Sequence, residues 1–253
     1  MQDSTHSWIP AGAAARLAGE VAACTRLLVM EGLLDYSGHV SARLPGRDAL
    51  LIQPGAQSRA ELSPDDVLVV GFDGTVLQGR GQPPSELAIH VEILKARPDV
   101  QAVLHCHMEA AIAFTLMAGV ALRPMRARAV RWESGIPTHP DPSHIKHAEQ
   151  GRTLAQTLGP HHAALMRAHG VTLVAESVPA LLVDAVHFDE NARALLQVLR
   201  AGQTPLPLTA EELEQINRHE MRGFHVPKLW TYYMRKGIAA GTLPADCARM
   251  LDV

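Results

Sequence analysis

Histidine sets this sequence apart: there are 14, against four phenylalanines and three tyrosines. His105 and His107 end the apolar run VLHCH. In an extended strand, residues i and i+2 face the same side. Two imidazoles would then project together at the mouth of a buried strand, which is a metal-chelating arrangement. The alternative is a pair of core histidines, each needing its own hydrogen-bonding partner. His169 follows a second apolar run, ALMRA, and precedes Gly170. It reads either as a turn histidine or as a third ligand at a strand exit, where sites gather in α/β folds. Three imidazoles leave a bound divalent ion with open positions, as catalytic sites do. Zinc is the default ion for such a donor set, with manganese or iron as the other choices.

Glu86 adds a carboxylate. It falls in the first turn of a helix predicted after PPS, where the helix dipole favours an anion. It either serves that helix end alone or supplies an acid/base. His90, four residues on, shares its helix face and is either a partner of Glu86 or an ordinary buried histidine. His144 and His147, with Glu149, could make a second site, but their spacing reads more simply as a polar helix side. His161 and His162 fall in a loop, and His187, within an apolar helix, packs or hydrogen-bonds rather than binding metal. Cys106 points away from its two histidine neighbours and reads as a core thiol. Arg126, Arg128 and Arg131 are either an anion-binding set or scattered solubilising charges.

The elements that must position these residues follow from periodicity. Residues 11–32 predict a helix, with Leu17, Val21, Leu27, Leu28 and Leu33 at roughly helical spacing and Gly32 closing it. GHVSARL alternates, Val40 and Ala42 against Ser41 and Arg43, and predicts a half-buried strand. ALLIQP is a second strand, and residues 66–79 are a hairpin turned at Asp73-Gly74. Residues 83–98 predict a helix capped by Ser85 and ended by Pro98. Residues 100–107 predict a central strand, 108–119 a helix and 129–134 a short strand. Residues 143–158 predict a helix capped by Ser143, 162–170 a strand running into a turn, and 178–202 a long helix. A further helix over 208–223 has Thr209 at its cap and Glu212 three residues on. Strands and helices mix without regular βαβ alternation. The expectation is one domain over residues 1–253, a three-layer α/β/α sandwich around a mostly antiparallel mixed sheet, with a helical tail from about residue 205.

Composition narrows the function. Hydrophobic residues make up 47% and charged residues 19%, enough for a sizeable core. The net charge of −3 and the lack of a basic run argue against nucleic acid as a partner. No apolar stretch reaches about 18 residues unbroken, so no membrane span is expected. The start MQDSTHSWIP lacks the basic and apolar regions of a signal peptide. Three widely spaced cysteines, Cys24, Cys106 and Cys247, predict free thiols in a reducing, cytoplasmic setting. Neither GxGxxG nor GxxxxGK[ST] occurs, so dinucleotide and P-loop binding have no support.

GHVSAR, PPSELAIH, VLHCH and RAHG, in this order and spacing, resemble the class II aldolase/adducin-like family over about residues 15–200. That family includes L-fuculose-phosphate aldolase and L-ribulose-5-phosphate 4-epimerase. The resemblance implies an α/β/α sandwich, usually a homotetramer, with sites between neighbouring subunits. It implies His105, His107 and His169 as metal ligands. Glu86 would be a carboxylate that touches the metal when the site is empty and acts as acid/base with substrate. The adducin branch is not enzymatic and commonly lacks that carboxylate, so Glu86 favours an enzyme.

The departures bear on the substrate. Sugar-phosphate members of the family read GN-S, TPSG and SSE in three segments that cradle a phosphate. Here His39 replaces the Asn, Gln53-Pro54-Gly55 lacks the Thr and Ser hydroxyls, and Pro84 replaces a Ser. Proline has no N–H, so a phosphate dianion would lose several donors. The sequence is closer to the family's decarboxylases of dihydroxylated aromatic acids. His39, Arg43 and Ser85 would hold a carboxylate with fewer contacts, and Ser41 and Gly55 complete the expected substrate-binding set. The expected reaction is metal-dependent, non-oxidative decarboxylation, with Glu86 as first and His39 as second candidate for proton transfer. The alternatives are an aldolase using the same groups, a non-haem iron oxygenase, a small-ligand binding protein and an adducin-like module. Trp230, Tyr232 and Tyr233 in the tail are expected near a subunit boundary, since interfaces favour aromatics.

Overall fold

The computed structural model describes residues 12–251. The start MQDSTHSWIP, residue 11 of the first predicted helix and the last two residues lie outside the described residues. The chain opens with α1 (Ala13–Met30) and four strands, β1 (His39–Arg43), β2 (Ala49–Ile52), β3 (Leu68–Gly71) and β4 (Val76–Gln78). Then come α2 (Leu87–Ala96), β5 (Ala102–Cys106), α3 (Glu109–Ile112), β6 (Thr138–His139), α4 (Ala148–Leu158), β7 (Ala163–Met166) and β8 (Gly170–Ala175). Three helices close it, α5 (Val178–Arg200), α6 (Ala210–Arg218) and α7 (Arg222–Ala239).

One sheet runs in the order β4-β3-β2-β1-β5-β8-β7-β6. Every recorded pairing is antiparallel except β6 with β7. The pleat divides the core in two. Val40, Ala42, Leu104 and Cys106 join α1, α3 and α5 on one side. Val103, Ala164 and Val174 join Ile89 and Ile93 of α2 and Leu154 and Leu158 of α4 on the other. This is the three-layer sandwich around a mostly antiparallel mixed sheet that the sequence predicts.

Several elements differ from expectation, each for a packing reason. β1 is buried on both faces because it lies between β2 and β5 with helices above and below. Residues 129–134 form no strand. Ala127–Trp132 is a 3₁₀ helix, and it buries Ala129, Val130 and Trp132, a spacing that alternation cannot supply. Trp132 meets Phe188 edge-on, ring centroids 5.0 Å apart. The predicted 108–119 helix shortens to α3 and a following 3₁₀ turn. Ser143 caps nothing, since α4 starts at Ala148 with His147 at its cap. β8, over GVTLVA, and the two-residue β6 have no counterpart among the predicted strands. Trp230 is inside the core, which leaves Tyr232 as the exposed aromatic of the tail trio.

The cap read at Thr209 is present: its hydroxyl accepts from the Glu212 N–H, and the Glu212 carboxylate accepts from the Thr209 N–H. α6 buries none of its residues, so this cap is a large share of what holds it. Thr209→Ala should cost about 1 kcal/mol locally. Amide exchange in α6 should speed up severalfold while the melting temperature of the whole protein hardly moves.

Candidate active site

The site lies where three antiparallel strand ends meet. His39 opens β1 and is paired in register with His105 of β5. On the other side of β5, Cys106 pairs with Val171 of β8, so His107 comes beside the turn that carries His169. The 105 and 169 ring centroids are 5.0 Å apart and the 107 and 169 centroids 5.5 Å. Gly170 makes this approach feasible. A Cβ there would fall 2.6 Å from the Cys106 carbonyl oxygen and about 3 Å from the His105 and His107 rings. That is the physical content of the AHG motif.

Donor atoms of His105, His107 and His169 all lie within 4.8 Å of one another. Both ring nitrogens of His105 and of His169 are buried without a hydrogen-bond partner. Unpaired buried polar atoms are costly, and a bound cation would satisfy one nitrogen on each ring. His107 is oriented from behind: its Nδ1 lies 3.1 Å from the Ser37 hydroxyl and 3.2 Å from Asp35 Oδ2. Fixing one ring nitrogen in this way presents the other to an ion. The residues therefore fit a divalent metal.

Glu86 faces this cluster. Its Oε2 lies 3.6 Å from His105 Nε2 and its Oε1 3.6 Å from His169 Nε2. The Ile145 N–H donates to Oε1 at 2.9 Å. Glu86 is the N-cap residue of α2 rather than part of its first turn, and its side chain does not cap the helix. The bland reading, a carboxylate kept for the helix end, thus has no contact to support it. Burial alone would raise the Glu86 carboxyl. The His169 ring, the neighbouring His105 and the Ile145 N–H outweigh burial and hold it below the usual carboxylate range.

A buried hydrogen-bond chain stands behind His39. Its Nδ1 is 2.7 Å from His90 Nε2, and His90 Nδ1 is 2.6 Å from the Ser41 hydroxyl. Ser41 is fully buried, and its hydroxyl has no other hydrogen bond among the described residues. Its hydroxyl proton therefore goes to His90 Nδ1. His90 Nε2–H then donates to His39 Nδ1, which leaves the His39 proton on Nε2. Burial, and then the neighbouring imidazoles, lower both His39 and His90, the latter to about 3, so both rings are neutral. His90 is thus a partner of His39 and Ser41 rather than of Glu86.

The remaining expected site residues separate. Arg43 is at the far end of β1, about 13 Å of strand from His39, and donates to the Leu94, Arg97 and Val100 carbonyls at the end of α2. The structure does not bring it to the cluster. The Gly55 N–H is used on the Gln82 carbonyl. Ser85 is exposed next to Glu86 and caps no helix. Arg126, Arg128 and Arg131 make no anion-binding set. Arg126 pairs with Glu190, Arg128 bonds His187, and Arg131 pairs with Glu176 and Asp184. Arg128 and Arg131 line a cavity of about 420 Å³ between the 127–132 helix, α5 and α7, whose lining includes none of His105, His107 and His169.

Sequence reasoning missed three contributors. His144 lies in the segment before α4, 3.6 Å from Glu86 Oε1, and completes a second donor group with Glu86 and His169. A helix predicted from residue 143 hid it, because that placed it on a solvent face. Asp35, which holds His107, and Arg59, which donates to the Gly38 carbonyl, carry no motif that singles them out.

Comparison with known proteins gives the family. A family model described as Class II Aldolase and Adducin N-terminal domain matches residues 19–196. A 3,4-dihydroxyphthalate decarboxylase of Rhodococcus jostii is 34% identical over 201 residues, 74% of this chain and 81% of that protein. One from Terrabacter sp. is 32% identical, over 76% and 85% of the two chains. A crystal structure of an aldolase II superfamily protein from Pseudomonas syringae superposes with a TM-score of 0.79 at 23% identity, covering 90% of this chain and 94% of the other.

Proposed function

The chain belongs to the class II aldolase and adducin family, and from that premise we propose that it is a metal-dependent, non-oxidative decarboxylase of a dihydroxylated aromatic acid, of the dihydroxyphthalate or dihydroxybenzoate type. The observation that carries this reading is Glu86 facing a three-histidine cluster in which the ring nitrogens of His105 and His169 lack hydrogen-bond partners, in a chain similar to enzymes named for that reaction. An adducin-like module would have no use for such a donor set.

His105, His107 and His169 are the proposed ligands, and zinc is the proposed ion, because three imidazoles with an open position suit it. Bound there, the ion would act as a Lewis acid on substrate oxygens. Glu86 takes the proton of the hydroxyl ortho to the carboxylate. It then delivers a proton to the ring carbon that bears the carboxylate. The carbon–carboxylate bond breaks, CO₂ leaves, and its electron pair returns through the ring to the phenolic oxygen as aromaticity is restored. Neutral His39 presents its Nε2–H as a hydrogen-bond donor to a substrate oxygen. The Ser41–His90 chain supports this role over that of proton source, since a neutral imidazole gives up its proton reluctantly.

A homotetramer is part of the proposal, supported by Phe224 and Tyr232 of α7, each 57% exposed. A cytoplasmic location is supported by three free cysteines. Among the described residues no helix is long and apolar enough to cross a membrane.

The test is a substrate panel with metal-replete protein. Release of CO₂ from a dihydroxyphthalate or an ortho-hydroxylated benzoate, with fuculose and ribulose phosphates left intact, is the expected result. Cleavage of a sugar phosphate without CO₂ release from any aromatic acid would replace this reading with an aldolase.

A further inference from the structure

Arg59 is 7% exposed, yet it makes no ion pair among the described residues. Its Nε donates to the Gly38 carbonyl at 3.1 Å, and its Nη1 to those of Gly55 at 2.9 Å and Gln57 at 2.6 Å. All three acceptors are neutral. Nη2 has no partner, and it is not among the sealed unpartnered atoms. The carboxylate that acts on it through space is Asp35, which is already engaged by His107, Ser37 and the Gly38 N–H. Elsewhere the protein matches such cations with anions: Arg131 and Arg222 share Asp184 and Glu176. Arg43 also bonds only carbonyls, but these lie at the C-terminal end of α2, where the helix dipole is negative. Arg59 has no helix end to serve.

A largely buried cation without an anion is unfavourable, so the missing charge is one that a ligand would bring. The position agrees. Gly38 directly precedes His39, and Gly55 lies against Pro83 and Pro84, just before Glu86. The guanidinium therefore ties the residue before His39 to the 55–57 turn, which abuts the segment leading to Glu86, with one N–H pair unspent.

We propose that Arg59 anchors a carboxylate that the substrate keeps throughout the reaction. This rests on the decarboxylase reading and makes it more specific. A phthalate that loses one carboxylate retains another on the ring, and that second group is what Arg59 holds. The substrate class is accordingly a dihydroxylated aromatic diacid rather than a monoacid. A guanidinium suits the task because its planar fork matches a carboxylate.

Calorimetry on metal-loaded protein with two probes, catechol and 3,4-dihydroxybenzoate, tests this without turnover. Wild type should bind the acid about 10- to 100-fold more tightly than catechol. Arg59→Gln should erase that advantage, read as the ratio of the two affinities within the same variant. Arg59→Lys, which keeps the charge but not the fork, should retain part of it. Equal binding of both probes by wild type, or an advantage that survives in folded Arg59→Gln, would overturn the assignment while leaving the decarboxylase reading in place. Failure of wild type to bind either probe would remove both. If Arg59→Gln does not fold, a wild-type crystal with 3,4-dihydroxybenzoate decides. The carboxylate is expected within hydrogen-bond distance of Arg59 Nη2, and a carboxylate bound elsewhere overturns the proposal.

Discussion

Glu86→Gln is expected to turn over at least about a hundredfold more slowly than wild type, with its fold and its metal retained. Moving a proton in the transition state is commonly worth about 10²–10⁴-fold, and glutamine cannot exchange that proton. Its carbonyl oxygen can still accept the Ile145 N–H, which anchors the side chain at 2.9 Å. It can still sit near His105 and His169, now as a neutral group. The helix should be indifferent, because the Glu86 side chain makes no cap bond to α2. The readout is kcat at saturating metal, beside metal content and melting temperature. Recovery of turnover when metal is added in excess would make Glu86 a ligand only. Unchanged kcat with normal metal content would remove it from the chemistry and move the search to His39.

The second large effect concerns the imidazoles. Protein purified without chelator should carry about one divalent ion per chain, and His105→Ala and His107→Ala should each lose it, with activity. His105 makes no hydrogen bond in the protein through either nitrogen, so its truncation breaks no protein contact of that kind. Loss of metal is then a direct reading of ligation. A chelator should lower the wild-type melting temperature, because an ion that binds only the folded state at a hundredfold its Kd contributes about 2.7 kcal/mol. The melting temperature of His105→Ala should not respond to chelator. His144→Ala separates the two donor groups: His144 is largely exposed and belongs only to the group with Glu86 and His169. Its variant should keep the ion. Full occupancy in both His105→Ala and His107→Ala would overturn the three-histidine assignment.

The residues proposed to carry this chemistry were legible to different depths. VLHCH declared itself, because a period of two within one strand puts two imidazoles on one face whatever lies around them. The fold class was equally legible: helical and alternating apolar periods belong to single elements, and their order along the chain restricts how they can layer. The Thr209 cap and the Asp73-Gly74 turn are local chemistry and came through unchanged. GVTLVA, by contrast, was passed over as a strand although its six residues are all buried. Ser85 and Ser143 were misread because a serine before an apolar run is a good cap only if the helix starts there. Here Pro83 and Pro84, and the segment that delivers Ile145 to Glu86, delay both starts.

The sequence by itself determined the layers, the two histidines of one strand and the carboxylate that precedes α2. Tertiary structure alone decided which distant groups meet them. Antiparallel pairing of β5 with β8 sets His169 beside His107, and pairing with β1 sets His39 beside His105. Four residues of strand carry Arg43 to the wrong end of β1, and a turn after β2 brings Arg59 to the right one. Periodicity reports which side of its own element a residue faces. Which residue stands opposite depends on register and strand order, and those are fixed by contacts between segments far apart in the chain.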